Sequence, residues 1–170
     1  MIESPQYLNA YPVDIQQRVI SMLEQEKTGA WLLGKYPKRH DINGAQALFD
    51  YGMGIKNRYM KSSAPISKVV YDDKIHVINN ALGLHTFVSR VQGSKLKAKH
   101  EIRVSALFRN VPEPFLRMIL VHELAHLKEK AHNKAFYNLC CYMEPDYHQL
   151  EFELRVYLCH RDRFGELWTL

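Results

Sequence analysis

The chain has 170 residues, 46% of them hydrophobic and 24% charged, with a formal net charge of +5. That is one domain of ordinary globular composition, long enough to bury a core without disulfide or metal staples, which excludes a disordered chain and a small cross-linked scaffold. The modest positive surplus permits contact with nucleic acid or an acidic surface without demanding it.

In chain order, Met1–Pro12 lacks the basic and apolar regions of a signal peptide. No apolar run anywhere approaches the roughly 18 residues of a membrane span, so a cytoplasmic protein without membrane contact is expected. Pro12 and Asp14 start a first helix whose apolar stripe is Ile15, Val19, Ile20 and Leu23, and Gly29 and Gly34 break it. A second helix follows Asp41–Gly44, with Leu48, Ile55 and Tyr59 on one face. Lys68–Tyr71 and Lys74–Ile78 flank Asp72-Asp73 and read as a hairpin. Two further β-rich runs, Leu84–Val91 and Glu101–Phe108, are separated by Gly93-Ser94 and a lysine cluster. Pro112 and Pro114 mark the start of a helix that runs to about Lys128. Asn133 is a natural N-cap for the next helix. The last helix begins near Pro145, with Tyr147, Leu150, Leu154, Tyr157 and Leu158 as its stripe. Cys140, Cys141 and Cys159 are odd in number and form no C-x-x-C pair, which excludes a disulfide framework and a zinc ribbon and suits a reducing compartment. No repeat or linker divides the chain, so 1–170 is expected to be a single domain of class α+β. Its parts are helical at 1–62, a small, mostly antiparallel sheet of 3–4 strands at 65–108, and helical again at 112–165.

Chemistry concentrates in the helix after Pro114. His122 and His126, four residues apart, share one helix face and can aim imidazole nitrogens at one ion. Glu123, projecting to the side of that face, can take a proton from metal-activated water, the logic of H-E-x-x-H. Two histidines and a glutamate inside so apolar a helix are costly without such a task. His132 can complete the set only if the helix ends soon after His126, because ten residues of straight helix would carry it about 15 Å along the axis. Lys128–Ala131 is polar enough to leave the core, and Asn133 can start a new helix beyond it. Metzincins make such a turn with a glycine seven residues after the first histidine, where this chain has Glu129. A carboxylate further on, such as Glu144, is the alternative third ligand. Tyr137, Tyr147, His85 and Arg90 are candidate substrate contacts or donors to an oxyanion, and Met143 lies where metzincins set a methionine beneath the metal, or simply in the core.

The stretch His122–Tyr137, with H-E-L-x-H, a third histidine after five residues and aromatics at Phe136 and Tyr137, resembles the metal site of the YgjP-like metallopeptidases, relatives of the WLM and SprT-like proteases. Asn80–Gly93 and Glu113–Met118 resemble the same group, and the similarity extends from about Pro65 onward. The resemblance implies one Zn2+ per chain on His122, His126 and His132, with Glu123 as general base. It also implies a minimal zincin-like fold, in which the active-site helix packs on the small sheet with a strand edge beside the metal. The leading expectation is a zinc metallopeptidase acting on a peptide or protein substrate. One alternative is a DNA-associated protease or nucleic-acid-binding protein of the SprT/WLM type. It is motivated by Lys95, Lys97, Lys99, His100 and Arg103, which a solvated strand edge would explain equally. Another is a non-catalytic zinc-binding module.

Overall fold

The computed structural model describes residues 5–75, 85–92 and 95–169, with only the backbone of 85–92 and 95–99. Helix α1 (Val13–Glu24) begins after Pro12, whose fixed φ suits a helix start, and carries Asp14 in its first turn against the helix dipole. Val19 and Leu23 of the expected stripe are buried, while Ile15 and Ile20 are half-buried. The first helix ends at Glu24, ahead of the glycines expected to break it, and α2 (Thr28–Lys35) runs through both. The physical reason lies in packing. A Cβ on Gly29 would come within 3.1 Å of His160 Cε1, so glycine allows α2 to close on the C-terminal helix. Helix α3 (Ala45–Tyr59) buries Leu48 and Ile55 and lays Gly52 against Val69 of β1 (Ile66–Asp72).

The sheet has order β1-β3-β2, with β2 spanning His85–Gln92 and β3 spanning Lys95–Ser105. β1 runs parallel to β3, pairing Val69 with Ile102 and Tyr71 with Val104, whereas β2 is antiparallel to β3. This corrects the mostly antiparallel expectation. The turn signal at Asp72-Asp73 suggested a local hairpin partner for β1, but the described neighbour of β1 is the distant β3. A local turn signal cannot reveal such non-local pairing. The second arm of that hairpin falls mostly on 76–78, outside the described residues, as does the sequence resemblance at 80–84 and at 93. β3 also stops earlier than expected. Ser105 accepts a hydrogen bond from Leu107 N–H, and 106–110 continue as a short 3-10 helix.

Helix α4 (Glu113–Ala125) has ten of its thirteen residues buried, so it is enclosed on every side rather than amphipathic. Each large apolar side chain there contributes roughly 1.5–3 kcal/mol of burial, and His122 and Glu123 are the polar exceptions. α5 (Lys134–Met143) and α6 (Tyr147–Phe164) pack against α4, and Trp168 folds back edge-on to Phe115. All five expected stripe residues of α6 are buried. Gly165, at φ 88°, ends α6 in a conformation that favours glycine. No described helix is long and apolar enough to cross a membrane.

Candidate metal centre

α4 ends at Ala125, three residues short of the expected Lys128, with His126 as its C-cap. The chain then tightens: Leu127 N–H bonds Leu124 O, and the amides of Lys128 and Glu129 both bond Ala125 O. Among the described residues Glu26 is the one non-glycine with positive φ, so this turn is built from ordinary backbone conformations without glycine. It also turns the Glu129 carbonyl onto Nδ1 of His126 at 2.9 Å. A carbonyl only accepts, so Nδ1 carries the proton and Nε2 of His126 keeps its lone pair.

Asn133 caps α5 as its residue type suggested, its side chain accepting Phe136 N–H at 2.9 Å, which fixes His132 one residue upstream. His132 Nε2 then lies 3.0 Å from His126 Nε2, which lies 3.3 Å from His122 Nε2. Four nitrogens at zinc distance, about 2.0–2.1 Å, in a tetrahedron are about 3.3 Å apart along each edge. Two edges of the triangle thus match the spacing of corners around one divalent ion, and the three ligand atoms all lie within 4.8 Å of one another. Among the described residues the potential metal-holding cluster consists of His122, His126 and His132 alone. Glu144, the alternative ligand, pairs with Arg117 at 3.5 Å.

Phe136 forms one wall of the centre. Its ring centroid is 4.8, 4.6 and 4.9 Å from those of His122, His126 and His132. Glu123 is fully buried beside His122, not on the helix surface. Tyr147 is also fully buried and sits behind His122, its hydroxyl 2.7 Å from Nδ1. It is thus on the side away from the three converging Nε2 atoms, not where a donor to an oxyanion would stand. Burial pushes the Tyr147 hydroxyl far above the ordinary tyrosine range, so it stays a neutral phenol. Tyr137 stays at the rim, half-buried, its ring 6.4 Å from His132 and 5.4 Å from the exposed His148. Met143 is a core residue. The side chains of His85, Arg90, Lys95, Lys97 and Lys99 lie outside the described residues. Arg103 of the basic cluster is engaged with Asp72 and Glu101, both at 3.3 Å. Cys140 lies in the core, and burial pushes its thiol up to about 12.

Residues 64–157 match the family described as YgjP-like, metallopeptidase domain. The chain is 59% identical over 152 residues to the UTP pyrophosphatase of Escherichia coli (strain K12), covering 89% of this chain and 91% of that protein. No solved structure matches. The matched segment contains all three converging histidines, and the chain belongs to the YgjP-like metallopeptidase family.

Proposed function

We propose that this chain is a zinc-dependent hydrolase that cleaves the α–β phosphoanhydride of UTP to UMP and pyrophosphate, with His122, His126 and His132 as ligands and Glu123 as general base. The observation that carries this reading is the convergence of three imidazole Nε2 atoms in a chain 59% identical to a UTP pyrophosphatase. Three histidine donors with a fourth position left to water suit catalytic zinc, since closed structural sites take four protein ligands. Zinc in such a set supplies Lewis acidity and lowers the pKa of a water to about 7. Glu123, enclosed in protein beside His122, takes the proton of the attacking water. The water oxygen bonds to the α-phosphorus, the bridging P–O bond breaks, and pyrophosphate leaves with the electron pair. Lys128, Lys130 and Lys134 are exposed around His132 and offer cations to the polyphosphate.

The test is direct. Zinc-loaded protein is given UTP, and UMP and pyrophosphate are quantified before chelation, after it, and after zinc is restored. Equal amounts of the two products, lost and regained with the metal, are expected. A zinc-loaded protein that leaves UTP intact refutes the proposal.

A second reading is a peptidase. It is favoured by the family's description and by the place of β2 at the edge of the three described strands, where an extended peptide could add a strand. Cleavage of unfolded protein by the zinc-loaded chain, without UTP turnover, would select it.

A further inference from the structure

The two α4 histidines are backed differently. His126 Nδ1 faces the Glu129 carbonyl, an obligate acceptor that fixes one tautomer. His122 Nδ1 faces a hydroxyl, which can donate or accept. The difference matters for the ion. If the Tyr147 hydroxyl donates to Nδ1, the imidazole proton moves to Nε2 and points at His126, where it excludes a cation. If the hydroxyl accepts from Nδ1–H, Nε2 is left with its lone pair in the centre. Binding of a cation selects the second arrangement, because the ion needs the Nε2 lone pair and Nδ1 must then carry the proton.

Building on the three-histidine reading of the centre, we propose that Tyr147 is a positioning residue for the metal: its buried hydroxyl accepts His122 Nδ1–H at 2.7 Å, holding Nε2 toward the ion. The burial supports this. A phenol at zero exposure must place its hydroxyl on a partner, and the His122 imidazole at 2.7 Å is that partner. The Tyr147 and His122 ring planes are nearly parallel, at 16° with centroids 6.3 Å apart, and phenylalanine keeps the same ring in that place. Partners behind metal-bound histidines typically contribute about 10–100-fold in metal affinity.

The experiment is a zinc competition against a chromophoric chelator, with the cobalt-loaded visible spectrum and the metal-free thermal midpoint recorded alongside. Tyr147→Phe is compared with Tyr157→Phe, which also alters a buried tyrosine of α6 but one outside the histidine cluster. We expect Tyr147→Phe to lose about 10–100-fold in zinc affinity and to shift the cobalt spectrum, while its metal-free midpoint falls no further than that of Tyr157→Phe. Tyr157→Phe should bind zinc as the wild type does. Wild-type affinity and an unchanged spectrum in Tyr147→Phe overturn the role of the hydroxyl while leaving the metal centre standing. A loss of affinity equal in both variants overturns it too, as a general effect of core damage. A wild type that takes up no zinc overturns the centre itself.

Discussion

At the contact of α2 with α6, His160 Nδ1 shares a 2.8 Å hydrogen bond with Thr28, and Lys35 pairs with buried Glu153 at 2.7 Å. Nearby in the chain, His40 accepts Ile42 N–H on Nδ1 and donates Nε2–H to Phe108 O. At the end of α4, His122 and His126 use Nδ1 in the same way, on Tyr147 and on Glu129 O, but turn Nε2 toward each other and toward His132. Both regions bury histidine in a hydrogen-bonded setting, His40 and His160 in the first and His122 in the second. In the first, the bonded groups are spread through the core and secure packing. In the second, one nitrogen of each ring is spent on orientation and the other is left to converge. Burial of a polar side chain therefore does not mark a site here, whereas convergence of lone pairs does.

Substitutions that remove one element at a time should separate the two regions. The largest effect is expected from His126→Ala, which takes away the nitrogen common to both short Nε2 pairs. Metal content after dialysis should fall from about one zinc per chain to near zero, and turnover with it. Glu123→Gln should instead keep the zinc and lose about 10²–10⁴-fold in kcat, the usual contribution of a positioned base. Metal retention with full activity in that variant would remove Glu123 from the chemistry.

The packing histidines should report through pH. Burial lowers the pKa of both His40 and His160. Unfolded histidine titrates near 6.5, so below that value the unfolded chain binds protons that these buried rings resist. Stability from the neutral rings is then complete above about pH 6.5 and is lost as pH falls through the lower, folded values. The thermal midpoint of the metal-free protein should drop between pH 7.5 and 5.5, and His40→Gln should narrow that drop. An equal drop in the variant would show that His40 carries none of it.

The smallest effects concern the α2 glycines. A Cβ at Gly34 meets nothing within 4 Å, so Gly34→Ala should add about 0.5–1 kcal/mol through helix propensity alone. Gly29→Ala should lose stability despite the same propensity gain, because His160 is tied to Thr28 and cannot retreat from a 3.1 Å contact. Thermal midpoints moving in opposite directions would bear out the contrast, and a gain at both positions would dissolve it.

The sequence by itself determined the elements whose signals are local. Pro112 and Pro114 start α4, Asn133 caps α5, and the stripe from Tyr147 to Leu158 buries α6. His122 and His126 share a face because a helix repeats every 3.6 residues. Tertiary structure decided whatever depends on contacts distant in sequence. The parallel pairing of β1 with β3 overrode a local turn signal, and the closeness of α2 to α6 made Gly29 a packing residue rather than a helix breaker. The turn after His126 closed without glycine, since the amides of 127–129 could bond back onto 124 and 125. Tyr147 reached the back of His122 only because α6 passes beneath α4, and no spacing along the chain encodes that crossing.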